Sequence, residues 1–158
     1  MLEEVQLRPL HAGDAAFLVD ALYHAIYVPL GTSAPPKTIV QNPDLAIYIE
    51  GFGTQRGDAG IVAVHNMIPV GAAWSRFIRG YGYVDEETPE LSISMLPAYR
   101  GMGIGTRLLE ALLARLKGNV ERVSLSVTLS NPAYCLYERH GFKVIAVNGD
   151  SAIMLRDL

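Results

Sequence analysis

The segment with the clearest chemical meaning is a glycine-rich turn that lies between an apolar strand and an amphipathic helix. It follows Pro97 and consists of Arg100-Gly101-Met102-Gly103-Ile104-Gly105. The start of a helix leaves backbone N–H groups without intrahelical partners, and the helix dipole makes that end positive. Glycines let the backbone come close to a bulky anion. The segment therefore predicts a binding site for a phosphate or pyrophosphate group.

Two other interpretations of this turn compete with the first. One is a helix start that needs glycine only for tight packing. The other is a dinucleotide-binding turn, because Glu121 lies twenty residues beyond Gly101. The spacing is G-x-G-x-G rather than G-x-G-x-x-G, however, and dinucleotide folds place the motif after their first strand. A P-loop is not indicated either, since the required G-K-[ST] is absent.

Composition limits the classes of protein to which the chain can belong. It has 158 residues, of which 50% are hydrophobic, which is enough for one domain over residues 1–158 with its own core. No apolar run approaches the ~18 residues of a membrane span, and the N-terminal segment lacks the apolar part of a secretory signal. The formal net charge of -3 argues against nucleic-acid binding, which needs a basic surface.

The metal-ligating and redox-active residues are few. One cysteine excludes an intrachain disulfide, and the four histidines are scattered rather than clustered. We therefore expect no metal site, no membrane or nucleic-acid partner, and a cytoplasmic location.

The hydrophobic pattern predicts elements in the order β-α-α-β-β-β-α-β-α-β-β, which is typical of an α+β or mixed α/β fold. Predicted helices cover residues 14–27, 44–52, 103–117 and 131–140, and predicted strands cover 5–8, 61–65, 69–77, 90–96, 122–129, 142–147 and 152–155. Asp14 is a candidate N-cap of the first helix, and Asn131 followed by Pro132 is a typical helix start. The helix after the glycine turn carries five leucines on one stripe, so it is expected to pack against the sheet.

Two motifs together resemble the GNAT superfamily of acyl-CoA-dependent N-acyltransferases. The glycine turn fits the R/Q-x-x-G-x-G/A signature of that family, and residues 131–142 are similar to its Asn…Ala…Leu-Tyr-Glu…Gly-Phe helix. Arg8-Pro9 and residues 70–74 also resemble family positions, so the resemblance covers nearly the whole chain. The departures are small: Asn66 stands where a turn glycine is usual, and His140 stands where an aliphatic residue is common.

The resemblance implies a fold and an activity. The fold is an α+β, GNAT-like arrangement with a central, mostly antiparallel sheet of 6–7 strands flanked by about four helices. The activity is transfer of an acetyl group from acetyl-CoA to a primary amine, of a small molecule or a peptide, by direct attack in a ternary complex. Homodimers are common in the family, so a homodimer is one expected assembly. The alternative function is a non-catalytic acyl-CoA-binding sensor or regulatory module.

The resemblance also implies which residues contact acetyl-CoA. The glycine turn and the first helical turn would hold the pyrophosphate, and the end of the preceding strand would pair with the pantetheine arm. Asn131 would cap its helix and contact CoA as a second role. The implied set is Met95, Leu96, Arg100, Gly101, Met102, Gly103, Ile104, Gly105, Thr106 and Asn131.

Two side chains are the catalytic candidates. By the resemblance, Tyr137 protonates the departing CoA thiolate. A phenol with a pKa of ~10 is protonated at neutral pH and therefore has a proton to donate. The pKa of the thiol that forms, ~8.5, is not far below that of the phenol. The competing interpretation is a packing tyrosine on an amphipathic helix.

Glu90 matches the position of the general base in several family members, where it could act through water. The competing interpretation of Glu90 is a solvated glutamate at a strand edge. The backbone N–H near Met95 is a candidate oxyanion donor.

The acceptor site is the least defined part of the sequence. Tyr23, Tyr27 and Trp74 are candidates for its pocket, although each residue type is more often part of a core. In this family the acceptor is selected by the regions that correspond here to residues 23–45 and 78–89. The acidic residues of 85–90 favour a cationic acceptor, or form a solvated loop.

Overall fold

Seven strands form one sheet in the computed structural model, which describes residues 4–158. They are β1 (Val5–Pro9), β2 (Ala59–His65), β3 (Ile68–Arg76), β4 (Glu90–Met95), β5 (Arg122–Thr128), β6 (Lys143–Asn148) and β7 (Ser151–Asp157). Their order across the sheet is β1-β2-β3-β4-β5-β7-β6, and neighbours are antiparallel except for β4 and β5. The predicted fold class is therefore confirmed. The first three residues of the predicted domain lie outside the described residues.

Four α-helices accompany the sheet within residues 4–158. They are α1 (Ala15–Ala25), α2 (Pro43–Ala46), α3 (Ile104–Leu116) and α4 (Ala133–Arg139). Short 3₁₀ turns precede α1, α2 and the glycine turn, at Ala12–Asp14, Lys37–Gln41 and Pro97–Tyr99. None of the helices in the described part of the chain is long and apolar enough to cross a membrane.

The two faces of the sheet carry different partners. The leucine stripe of α3 is buried against one face, where it joins the apolar residues of β4 and β5 in the main core. The helix α1 covers the other face in a smaller core that includes Leu18 and Trp74. Because strand side chains alternate between faces, the even-numbered residues of β4 and β5 point toward the α1 side. The α1 side of these two strands is therefore polar, and their α3 side is apolar.

The start of α1 agrees with the prediction in position but not in side-chain bonding. The helix begins at Ala15 with Asp14 at the N-cap position, but the Asp14 side chain accepts no hydrogen bond from the first turn of α1. The preceding 3₁₀ turn is capped by His11, whose Nδ1 accepts from the Gly13 N–H at 3.1 Å and whose backbone N–H donates to Asp14 Oδ2 at 3.0 Å. The Asp14 carboxylate also accepts two hydrogen bonds from the Arg8 guanidinium, at 2.8 and 3.0 Å, and this guanidinium is the main cause that lowers the pKa of Asp14. The carboxylate therefore binds β1 and the 3₁₀ turn rather than the first turn of α1.

The predicted helix over 44–52 is cut short to Pro43–Ala46. The carbonyls of Ile47 and Glu50 accept hydrogen bonds from the guanidinium of Arg76, at 3.0 and 2.8 Å. Arg76 is buried, so its donors need internal acceptors. The backbone after α2 therefore satisfies a side chain of β3 rather than continuing the helix.

The ion pair between Arg76 and Asp58 supports a first prediction. Their side chains are 1% and 2% exposed, and Arg76 Nε lies 2.9 Å from Asp58 Oδ1. Replacing Asp58 by Ala leaves a buried guanidinium without its counter-ion, which should lower the free energy of unfolding by about 3–5 kcal/mol. Chemical denaturation measures this. As a control, Asp20→Ala breaks an exposed pair with Lys37 and should cost at most about 1 kcal/mol. Equal losses in the two variants would contradict the prediction.

Candidate active site

The sheet contains a gap between its two parallel strands. Glu90 on β4 and Ser124 on β5 form the one ladder pair that joins these strands within the described residues. The Ser124 N–H donates to the Pro89 carbonyl at 3.0 Å, next to this pair. Within the described residues no ladder pair joins β4 and β5 beyond it, toward their carboxyl ends, so the facing edge of β4 has no strand partner there.

The hydrogen bonds of β4 show which backbone groups face the gap. Leu96 donates its N–H to the Val70 carbonyl of β3 at 2.9 Å. Backbone groups alternate in direction along an antiparallel strand, so those of Ile93 and Met95 point the other way, into the gap. The backbone groups of Met95, a predicted contact of acetyl-CoA, therefore lie at the gap. The Leu96 N–H is therefore not free to bind a ligand in the gap, and the Leu96 carbonyl accepts a hydrogen bond from the Tyr99 N–H at 2.9 Å. The sequence did not indicate Ile93, because it does not show whether the odd-numbered or the even-numbered residues of β4 turn their backbone groups toward the gap.

The glycine turn leaves the first amides of α3 without partners. Gly103 occupies the N-cap position, and having no side chain it caps nothing. The first backbone bond at this end joins the Arg107 N–H to the Gly103 carbonyl at 3.3 Å. The N–H groups of residues 104–106 therefore have no intrahelical acceptor, at the positive end of the helix dipole.

Three glycines keep the space beside these amides open. Gly101 and Gly103 have φ of +75° and +80°, a conformation that side-chain-bearing residues rarely adopt. A Cβ added at Gly105 would meet nothing within 4 Å, and the same holds for Gly101 and Gly103. Packing inside the protein therefore does not require glycine at Gly105, which speaks against the tight-packing interpretation. The turn has room for an external anion.

Arg100 links the turn to two other elements. Its Nε donates to the Met95 carbonyl at 3.2 Å, and its Nη2 donates to the His24 carbonyl at 3.0 Å. The predicted phosphate-binding side chain thus also ties the glycine turn to the end of α1. Asn131 acts as the predicted cap, since its Oδ1 accepts from the Ala133 N–H at 2.9 Å.

Tyr137 is buried in the main core, on the α3 side of the sheet. Its ring packs edge-to-face on Phe142, with 5.8 Å between centroids, and Met95 belongs to the same cluster. Burial raises the pKa of the Tyr137 phenol, which keeps the hydroxyl protonated at neutral pH. The position is compatible with both the packing role and the acid role, so the acid remains a prediction.

Glu90 is not a solvated glutamate. It is 2% exposed, and its Oε2 accepts a hydrogen bond from the Tyr48 hydroxyl. Its Oε1 is buried and has no hydrogen-bond partner within residues 4–158. Burial raises the pKa of the carboxyl, while the Tyr48 hydroxyl and the nearby N–H groups of Gly82 and Gly80 oppose the rise, although neither N–H is aligned for a hydrogen bond to Oε1. A buried carboxylate with one free oxygen is suited to receive a proton.

A polar row, which sequence reasoning missed, extends from Glu90 along the α1 side of the gap. On β4 it continues with Ser92 and Ser94, and Ser94 Oγ is buried without a partner. On β5 the same face carries Ser124, Ser126 and Thr128. The period-2 alternation was the available signal. Only the sheet topology shows that the two rows lie on the same face of the sheet, on either side of the gap.

Of the three residues predicted to line the acceptor pocket, Trp74 lies in the core and the two tyrosines hold the loop after α1. Trp74 is 1% exposed in the core with Leu18, and its indole N–H donates to the Tyr48 carbonyl at 2.9 Å, so it does not line a pocket. Tyr23 donates to the Pro35 carbonyl at 2.7 Å and holds the loop after α1. Tyr27 donates to the Ser130 carbonyl at 3.2 Å, which joins that loop to the segment after β5.

In the described residues, no three metal-ligating side chains come together.

The family is shown by comparison with known sequences. Residues 56–144 match the family model described as "Acetyltransferase (GNAT) domain". An N-alpha-acetyltransferase of Saccharolobus solfataricus is 33% identical over 120 residues, covering 70% of this chain and 71% of that protein. An N-alpha-acetyltransferase of Sulfurisphaera tokodaii is 47% identical over 60 residues, or 36% of each chain. The chain belongs to the GNAT family and is an acetyltransferase.

Solved structures agree with the fold. PaiA N-acetyltransferase from Thermoplasma acidophilum, in complex with coenzyme A, superposes with a TM-score of 0.69 at 19% identity, over 98% of this chain and 99% of that one. A phosphinothricin acetyltransferase from Sinorhizobium meliloti, in complex with acetyl-CoA, gives 0.70 at 22% identity, over 98% and 89%. At this identity the likeness concerns the fold.

Proposed function

We propose that this protein transfers the acetyl group of acetyl-CoA to the α-amino group of a polypeptide, by direct attack within a ternary complex. The observation that carries the proposal is the set of unpartnered N–H groups at residues 104–106, beside an open glycine turn and next to the gap between β4 and β5. The name of the two archaeal relatives, N-alpha-acetyltransferase, supports the α-amino group as acceptor.

Acetyl-CoA fits the residues that line this region. The N–H groups of residues 101–106 would hold the pyrophosphate, as helix starts do for phosphates generally. The pantetheine arm carries amide groups, and the free edge of β4 at Ile93 and Met95 has backbone groups to pair with them. Asn131 retains its side-chain NH₂ for a further contact. Bound acetyl-CoA supplies the thioester whose carbonyl is attacked.

The acceptor approaches from the polar, α1 side of the gap in this proposal. An α-amino group has a pKa of ~7.7–8.0, against ~10.4 for lysine, so its deprotonation at neutral pH costs less. Glu90, with a buried free oxygen on this side, takes the proton by way of water along the row formed with Ser92 and Ser94.

The transfer then needs an anion site and an acid. The amine nitrogen bonds to the thioester carbon, and the gap-facing N–H groups of β4 stabilise the resulting oxyanion. When the carbon–sulfur bond breaks, the thiolate takes the proton of the Tyr137 hydroxyl, and the second proton that the nitrogen loses on becoming an amide returns to the tyrosinate by way of water. Burial keeps that phenol protonated, and positioning of the two substrates supplies much of the rate.

A direct test measures release of free CoA thiol. With acetyl-CoA, a peptide with a free N-terminus should support release, while the same peptide blocked at its N-terminus but carrying lysine should not. If acetyl-CoA raises the melting temperature but no amine releases thiol, the protein is a sensor. Stabilisation by NAD(P) but not by CoA would contradict the proposal altogether, since a ligand at a hundred times its Kd adds about 2.7 kcal/mol.

Replacing Gly105 by Glu distinguishes what the fold needs from what the ligand needs. A Cβ at this position meets nothing in the protein, and a carboxylate in the first turn of α3 interacts favourably with the helix dipole, so the unliganded variant should be at least as stable as the unmodified protein. The same carboxylate lies beside the free amides and repels a pyrophosphate, so the Kd for acetyl-CoA, measured by titration calorimetry, should rise about tenfold or more. Ala114→Glu, on the exposed side of α3, is the matched control and should leave the affinity unchanged. Unchanged affinity in Gly105→Glu would argue against the pyrophosphate site.

Replacing Tyr137 by Phe tests the general acid. The ring keeps its packing on Phe142, so the fold and the Kd for acetyl-CoA should hold within about twofold, while kcat falls by about 10²-fold. Steady-state kinetics and titration calorimetry measure the two quantities. Tyr134→Phe, on the same helix, serves as control. A kcat equal to that of the unmodified protein would remove Tyr137 from the mechanism.

A further inference from the structure

The two oxygens of the Glu90 carboxylate are in different environments. Oε2 accepts the hydrogen bond of the Tyr48 hydroxyl, while Oε1 is buried and has no partner among the described residues. A buried acceptor without a partner is costly in a folded protein and is rare outside functional sites. The asymmetry therefore calls for a functional explanation.

The Tyr48 hydroxyl is fixed from both sides. It donates to Glu90 and accepts from the Tyr81 N–H at 2.9 Å. The rest of Tyr48 is held as well, because the residue is buried and its carbonyl accepts from the Trp74 indole at 2.9 Å. The direction of the hydroxyl toward Glu90 is thus set by three separate segments of the chain.

The loop of residues 77–89 closes over this pair at two glycines. A Cβ at Gly80 would lie 2.4 Å from the Tyr48 hydroxyl oxygen and 2.7 Å from Glu90 Oε1. A Cβ at Gly82 would lie 2.7 Å from the carbonyl carbon of Leu125. Distances below 3.0 Å exclude a side chain at both positions without movement of a neighbour. The loop can cover the carboxylate only because glycine stands at these two places.

The other groups around Glu90 are occupied. Arg76 lies opposite on β3, but its guanidinium binds Asp58 and backbone carbonyls. On β5, the Ser124 hydroxyl donates to the Gly82 carbonyl at 2.7 Å. The loop places the backbone N–H groups of Gly80 and Gly82 near the carboxylate, where they oppose the rise of its pKa, but neither makes a hydrogen bond of standard geometry to Oε1. Within residues 4–158, Tyr48 is thus the one side chain that hydrogen-bonds Glu90.

We propose that Tyr48 is a positioning residue for the acetyl transfer: by holding Oε2 it leaves Oε1 as the oxygen that receives the proton of the acceptor amine. The inference rests on the proposed function, with Glu90 as the base. The proton passes from the ammonium group to Oε1, Tyr48 keeps its own proton, and no bond to Tyr48 forms or breaks.

The test is the pH dependence of kcat/KM in Tyr48→Phe. The phenyl ring preserves the packing, but the ionised carboxylate loses its side-chain donor, so the pKa of Glu90 rises. The acidic limb of the profile should therefore move to higher pH by about one unit. At a pH on that limb kcat/KM should fall about tenfold, with the Kd for acetyl-CoA unchanged within about twofold.

Tyr81→Phe is the matched control. Its hydroxyl also bonds a carboxylate, that of Asp44, but at the surface, and the backbone N–H that holds Tyr48 is kept. Its profile should match that of the unmodified protein. An unshifted limb in Tyr48→Phe, or the same shift in both variants, would overturn the proposal.

The variant Glu90→Gln distinguishes a failure of the proposed role of Tyr48 from a failure of the proposed acetyl transfer. If Tyr48 acts only through Glu90, adding Tyr48→Phe to Glu90→Gln should reduce kcat no further. Full activity of Glu90→Gln would overturn the role of Tyr48 while leaving acetyl transfer by the unmodified protein in place. Absence of transfer by the unmodified protein is the separate failure of the proposed function.

A second variant covers the case in which Tyr48→Phe does not fold, as judged by circular dichroism. Gly80→Ala removes no hydrogen-bonding atom but places a methyl against both the Tyr48 hydroxyl and Glu90 Oε1. The acidic limb should again move to higher pH. A profile identical to that of the unmodified protein would overturn the proposal by this route.

Discussion

The site depends on one constraint: in the described sheet a single ladder pair, Glu90 with Ser124, joins the parallel strands β4 and β5. Every other neighbouring pair there is antiparallel. After this pair, the backbone of β4 has N–H and C=O groups that no strand satisfies. Unpaired backbone groups next to a core are costly, and in the proposed function the pantetheine arm of acetyl-CoA pairs with them.

The two sides of the gap have different chemistry because side chains alternate along β4 and β5. The α3 side is apolar and holds Tyr137 in the main core, and the α1 side carries Glu90 and the serine row. In the proposed function the Tyr137 acid and the Glu90 base would thus act from opposite faces of one sheet. Arg100 connects these sides, since it bridges β4 and the end of α1.

Elements with strong local patterns were predictable from sequence. The leucine stripe, the glycine turn and the Asn131-Pro132 start place α3 and α4 within a few residues of their observed bounds. Two of the errors share one cause, a partner distant in sequence. The backbone after the shortened second helix binds Arg76 of β3, and Trp74 lies in the core with its indole bonded to the Tyr48 carbonyl. Such contacts leave no periodicity near the residue that they affect.

The sequence by itself determined the order of elements, the glycine turn that starts α3, and the candidates Glu90 and Tyr137. These follow from local spacing and from a family resemblance, both of which are properties of contiguous residues. Only the tertiary structure decided that Glu90 is buried, that Tyr48 holds one of its oxygens, and that Ile93 rather than Leu96 joins Met95 at the gap. The physical reason is that burial and strand parity are set by which distant segments pack together.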